Sequence, residues 1–206
     1  MADSGAPSLS RDADLTPVSD KKGHEIVMCD PEWFDVRKTY KIANAPARTA
    51  SLTFNGADLN YMARVLYAEA SGSMQLTDKA ERDKEKSAIM NVNHFRLNRA
   101  GYPSNRYIAK TFQEVCDAPG QFESVFKGTA KFSQSDKAGA QTLAKRECGD
   151  LIEAIAAINA FLAAGPDPGY QYDNFRGYNP TGQGTHIGRS RFWLSTAGKG
   201  FLAKTP

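Results

Sequence analysis

The chain has 206 residues, 41% of them hydrophobic and 24% charged, with a formal net charge of +3. That length fits one large domain, or one domain with an extended arm, because single domains usually hold about 100–200 residues. A mean hydropathy of -0.50, with apolar runs well short of the roughly 20 residues a bilayer requires, leaves no candidate transmembrane helix. The composition also excludes collagen-like and wholly disordered chains.

The charge is unevenly placed. From Asn174 to Pro206 there are five basic residues (Arg176, Arg189, Arg191, Lys199, Lys204) and no Asp or Glu, so the rest of the chain is slightly acidic. A modestly basic C-terminal surface suits an anionic partner such as nucleic acid, anionic lipid or a wall polysaccharide.

Residues 1 to about 23 are polar and rich in Asp, Ser and Pro, and read as a flexible arm. They lack the basic stretch and apolar core of a secretory signal. Action outside the cytoplasm would then need specialised secretion or lysis. From His24 to Phe54, short apolar runs broken by Pro31 and Pro46 predict irregular structure or short strands wrapping a main domain. The division expected is residues 1–57 as arm and wrapping segment, and 58–206 as the functional domain.

Helices dominate from there. Asp58 is a good N-cap for a helix with Leu59, Met62, Ala63, Leu66 and Ala70 on one face, ended by Ser71-Gly72. Residues 78–86 hold four acids and four bases, which reads as a solvated loop or helix start. A helix through Ala88, Ile89, Val92 and Phe95 follows. Thr111-Phe112-Gln113-Glu114 fits a capping box opening a short helix. Asp150 predicts the start of a helix to Ala164, with Leu151, Ile155, Ile158 and Leu162 on one face and Gly165-Pro166 as its end. The remainder reads as loops and short strands, including Arg191–Leu194. The fold class expected is mainly α (α+β).

Cys29, Cys116 and Cys148 are widely spaced and odd in number, which favours buried thiols, with a Cys116–Cys148 bridge as the alternative. The histidines are His24, His94 and His186, without metal-ligand spacing, so neither metal nor cofactor is expected.

One residue breaks its local pattern. Glu69 lies seven residues after Met62 and three after Leu66, which turns it toward the apolar sector of its own helix. A carboxylate there loses hydration, which disfavours its charged form. An acid that keeps its proton is what glycosidic cleavage needs to protonate the leaving oxygen. The structural alternative is an ion pair with Arg64 or Arg96.

The phrase Met62-Ala63-Arg64-Val65-Leu66-Tyr67-Ala68-Glu69-Ala70-Ser71-Gly72 resembles the opening motif of the spore-cortex-lytic type of bacterial cell wall hydrolase. In that family the Glu is the catalytic acid. Thr111 to Phe122, ending in Gly120-Gln121-Phe122, is similar to its second landmark. Ala88–Asn93 occupies the place of its small-apolar helix, and Thr185–Trp193 is similar to its closing strand. The resemblance spans roughly residues 58–194. This chain departs from the family in its longer, charged Ser73–Lys86 segment. It also has Ser190-Arg191 where the family has a His, with His186 four residues early, and Glu123 where Ser is usual.

The resemblance implies a lysozyme-like helical domain with a small β/loop region that cleaves the glycan strand of peptidoglycan. Many such enzymes are lytic transglycosylases, in which one acid serves both steps. Glu69 is then the catalytic residue. Gln121, Phe122, Tyr172, Asn174, Tyr178 and His186 are candidate substrate-binding residues, and Glu123 is the candidate second carboxylate a hydrolase would need. An antibacterial toxin delivered by a secretion machine, with an immunity protein as partner, fits the absence of a signal segment, and a phage endolysin is the alternative. Neither nucleic acid binding nor membrane insertion is expected. Two other functions remain open. One is a cysteine amidase using Cys29, Cys116 or Cys148 with His186 as base. The other is a non-catalytic protein that holds wall polymer or nucleic acid through the basic tail.

Overall fold

The apolar stripe predicted for the first helix lies at the centre of the molecule. In helix α1, Gly56–Glu69, the residues Leu59, Met62, Ala63 and Leu66 are fully enclosed, as are Val65 and Tyr67 on the flanking face. The helix is therefore central rather than half-exposed, and it packs against helix α7, Lys145–Ala164, and against short helices that follow it in the chain. On α7 the predicted stripe of Leu151, Ile155, Ile158 and Leu162 is buried against α1 and helix α2, Lys79–Arg96. Each such side chain removed from water contributes about 1.5–3 kcal/mol.

The computed structural model describes residues 18–19, 23, 25–26, 28–43, 52–104, 107–177, 182 and 184–203. Among them the order is four short strands, α1, α2, two more short strands, five helices ending in α7, a three-stranded sheet and a last helix. The fold is mixed α+β. No described helix is long and apolar enough to cross a membrane.

Strand β1, Val18–Ser19, in the region expected to be a flexible arm, pairs antiparallel with β2, Glu25–Ile26, in the segment expected to hold short strands. His24 and residues 1–17 lie outside the described residues. Strand β3, Thr39–Tyr40, pairs with β4, Phe54–Asn55, which runs directly into α1. Residues 28–43, which include β3, lie over α1 and α7. The Phe34 backbone exchanges two hydrogen bonds with the Asn60 amide, and the Ala43 N–H donates to the Leu162 carbonyl at 2.8 Å.

Three local expectations are corrected by tertiary partners. Asp58 does not cap α1. Asn55 does, accepting from the Asp58 N–H at 2.7 Å, while the buried Asp58 carboxylate accepts from the N–H groups of Phe112 and Gln113. It thereby caps helix α3, Phe112–Cys116, from outside, beside the expected cap of Thr111 on Glu114 N–H. Asp150 does not cap α7 either. That helix begins at Lys145, and Asp150 is buried on it, accepting from the Ser73 N–H at 2.9 Å. Residues 78–86 are the N-cap and start of α2, one of the two readings offered for them, but Arg82, Glu85 and Lys86 are buried rather than solvated.

The cysteine expectation is also corrected. Cys29 and Cys148 form a disulfide across 119 residues, and Cys116 is the buried free thiol. The Cys116–Cys148 alternative fails, because α7 presents Cys148 to the wrapping segment rather than to α3.

Strands β5, Pro103–Ser104, and β6, Tyr107–Ile108, form a small ribbon ahead of α3. Helices α4, Glu123–Phe126, α5, Ala130–Ser133, and α6, Lys137–Ala140, are each about one turn long. Strands β7, Asn174–Arg176, β8, Thr185–Ile187, and β9, Ser190–Trp193, form an antiparallel sheet in the order β7-β9-β8. Its buried Phe192 packs against Phe175 and Tyr172, and the sheet lies on α2. Helix α8, Thr196–Leu202, closes the described chain.

Candidate active site

Glu69 is the last residue of α1, where the helix gives way to the Ser71-Gly72 turn. It is half-buried and lines a small cavity of about 70 Å³ with Ser71, Gln75, Glu85, Lys131, Gly177, Arg189 and Ser190 among its walls. One carboxylate oxygen, Oε1, accepts from the Ser124 N–H at 2.8 Å, at the start of α4. The other oxygen has no hydrogen bond among the described residues. The ion-pair alternative does not hold. Arg64 lies over the Phe132 ring, 4.4 Å from its centroid, and donates to the Phe132 carbonyl. Arg96 is sandwiched by Tyr102 and Phe122 and donates to the Asp173 carbonyl.

The cavity walls are held by a polar network that the sequence pattern concealed. Glu85 on α2 is 1% exposed, yet its oxygens are both engaged, by the Ser71 N–H at 3.0 Å and by the Ser190 hydroxyl at 2.5 Å. It joins the turn after Glu69 to the β8–β9 hairpin. Gly188 in that hairpin has φ +60°, and a Cβ there would stand 2.9 Å from the Glu85 side chain, so only glycine permits the approach. Gly72 is similarly constrained, since a Cβ would meet the Asp150 carboxylate at 2.3 Å.

Lys86, also 1% exposed, donates to Glu153 at 3.0 Å, and Arg82 forms two hydrogen bonds with the same carboxylate. Burial works to raise the Glu153 pKa, but the bonds from Arg82 and Lys86 outweigh it and bring it to about 2. This ion cluster lies behind the Ser71 turn, whose carbonyl faces Lys86 at 3.4 Å. It is scaffolding for the site, and it lies in the segment expected to be a solvated charge run.

Among the described residues, the other expected site residues do not line this cavity. Gln121 is exposed on the loop before α4, whereas Phe122 is 1% exposed and belongs to the core beside Arg96 and Phe175. Glu123 is turned outward, its side chain 71% exposed and paired with Lys127, which lowers its pKa, so it offers no second carboxylate to Glu69. Tyr172 packs against Phe192, and the Asn174 amide hydrogen-bonds Asp173. His186 is exposed on β8 and contacts Arg191 on β9. Tyr178 lies outside the described residues. Gly177 of the same segment does reach the cavity, as does Arg189 from the basic tail.

The cysteines are not arranged for nucleophilic chemistry. Cys29 and Cys148 are bonded to each other. Cys116 is enclosed beside Asn93 and Met62, and burial pushes its thiol well above the ordinary range. A thiolate nucleophile needs the opposite environment.

Two features of the cavity had little signal in the sequence. Glu85 sits in a run of balanced charge, and Lys131 belongs to a short helix without periodicity. Their roles depend on partners many residues away.

Compared with protein-family models, with curated proteins and with solved structures, this chain finds no match.

Proposed function

We propose that this protein cleaves the glycan strand of peptidoglycan, with Glu69 acting first as general acid and then as general base. The observation that carries this reading is the pairing pattern of the two cavity carboxylates. Glu85 has both oxygens engaged, whereas Glu69 has one oxygen fixed by Ser124 N–H and the other unpaired among the described residues. A carboxyl group oriented through one oxygen is able to carry a proton on the other to a bound leaving group.

The same pattern favours the single-acid scheme. Glu69 gives its proton to the glycosidic oxygen as the C1–O bond breaks. The resulting carboxylate then takes the proton of the substrate's C6 hydroxyl as that oxygen bonds to C1 and closes an anhydro ring. The proton is back on Glu69 at the end. A hydrolase would instead need a second carboxylate beside the substrate. Glu85 is enclosed and Glu123 faces away, so the lytic transglycosylase route is supported over the muramidase route.

The placement of Glu69 at the end of a central helix, with a small sheet on the other side of the cavity, supports a lysozyme-like reading of the domain. The Cys29–Cys148 disulfide supports action in an oxidising compartment such as the periplasm. That agrees with a toxin delivered to a competitor's wall and restrained at home by an immunity protein.

The test is digestion of purified peptidoglycan, followed by mass spectrometry of the released fragments. Anhydro-muramyl ends are expected from the wild type, and Glu69→Gln is expected to lower their release by about 100-fold or more. Reducing ends would move the assignment to hydrolysis. Free stem peptides, or digestion that survives Glu69→Gln, would end the reading.

A further inference from the structure

The cavity of Glu69 contains two cations that nothing in the proposed glycan chemistry uses. Lys131 comes from α5 and Arg189 from the β8–β9 turn, so they approach from different elements. Neither makes a hydrogen bond or an ion pair among the described residues, where the fully buried cations are all engaged. Arg82 and Lys86 hold Glu153, Arg99 holds Asp173, and Arg96 donates to the Asp173 carbonyl.

Lys131 is half-buried, with its ammonium 4.6 Å from the centroid of the Tyr67 ring. A ring face steadies a cation without using up its N–H donors. Burial pushes the Lys131 pKa below the ordinary lysine range and Lys86 acts in the same direction, while Asp150, Glu147 and Glu69 pull against them. A charge that has lost water and gained no acceptor is one that an incoming anion stabilises strongly, since charge-assisted hydrogen bonds are the stronger class.

We propose that Lys131 and Arg189 form a subsite for a carboxylate carried by the substrate next to the bond that Glu69 cleaves. This rests on the glycan-cleavage reading and makes it more specific. In peptidoglycan the sugar backbone is neutral, and the free carboxylates belong to the stem peptide, or to the lactyl ether of a muramyl unit whose stem has been removed. A pocket that pairs an acid with two cations lacking an acceptor among the described residues therefore distinguishes a muramyl-containing strand from an uncharged glycan such as chitin. Arg189 supplies a planar fork suited to a carboxylate, and Lys131 supplies a point charge from a separate element, α5. Glu85 does not neutralise them, because its oxygens are committed to Ser71 and Ser190.

The experiment uses soluble glycan strands with acetylated amines, before and after their carboxylates are converted to methylamides. Wild-type kcat/KM is expected to fall about tenfold or more on the neutralised strands, the scale of one charge-assisted contact. Lys131→Met and Arg189→Met are each expected to lower kcat/KM on the charged strands to a similar extent, mainly through KM. In both variants the ratio between the two substrates should approach one, and Lys131→Arg should restore the preference. If Lys131→Met does not fold, Arg189→Met and the wild-type comparison still decide the matter. Equal cleavage of both strands by the wild type overturns the subsite while leaving glycan cleavage intact, as does a preference that survives both substitutions. Release of no glycan fragments from either substrate overturns the glycan-cleavage reading, and this inference with it.

Discussion

The Glu85 carboxylate accepts the Ser190 hydroxyl at 2.5 Å, across 105 residues of chain. Its other oxygen takes the Ser71 N–H, two residues beyond Glu69. One side chain thus fixes both the turn that ends the acid-bearing helix and the hairpin that faces it. Glu85→Ala would leave two polar groups without their acceptor, and each such group in a buried setting costs about 1–3 kcal/mol. The expected loss in urea unfolding is about 2–6 kcal/mol. Glu85→Gln keeps a carbonyl acceptor and is expected to lose roughly half as much. An unfolding midpoint for Glu85→Ala that matches wild type would remove this role.

The disulfide gives a count that thiol titration reads directly. Native protein is expected to show no rapidly reacting thiol, because Cys116 is enclosed. Denatured but unreduced protein should show one thiol, and reduced, denatured protein all three cysteines. Cys29→Ser and Cys148→Ser should each lower stability by about 2–5 kcal/mol, and the double variant no further. Three reactive thiols before reduction would exclude the bridge.

Glu153 predicts an acid-sensitive step in stability. Burial alone would raise its pKa, but the Arg82 and Lys86 hydrogen bonds hold it at about 2, below the ordinary carboxylate value of 4.5. The unfolded state therefore binds the proton first as pH falls. The stabilisation is fully present above about pH 5 and disappears as the pH drops toward 2, amounting to about 3 kcal/mol. Urea midpoints measured from pH 6 to pH 2 should fall across that window, and Glu153→Gln should flatten this part of the slope. A Glu153→Gln profile parallel to wild type would contradict the assignment.

Local patterns were legible where local physics decides the outcome. The stripe on α7 needs only the 3.6-residue period, and Leu151, Ile155, Ile158 and Leu162 are buried as the period requires. Thr111 caps α3 because the donor is three residues away. Polar side chains with distant partners are not legible in this way. Asp58 and Asp150 both looked like caps of the nearest helix, yet one serves Phe112 and Gln113 and the other Ser73. The charge run at residues 78–86 balanced to zero and read as solvated. Its buried members are held by Glu153 and Ser190, which no local window includes. The position of Glu69 at the end of its helix was readable, but the cations around it were not, because Lys131 and Arg189 come from separate short elements.

The cavity also has a consequence for how the protein folds. Its fixed contacts join Glu69 to Ser124, Ser71 to Glu85 and Glu85 to Ser190, at separations of 55, 14 and 105 residues. Contacts so far apart in sequence require large loops to close, which slows folding relative to local helix formation. A chain that has made α1, α2 and α7 but not the hairpin contact has native-like helix content and no formed cavity. During refolding, the far-ultraviolet helical signal should therefore recover before the proximity of Glu85 and Ser190. The site is then expected to be a late product of folding, completed when the β8–β9 hairpin reaches Glu85 on α2.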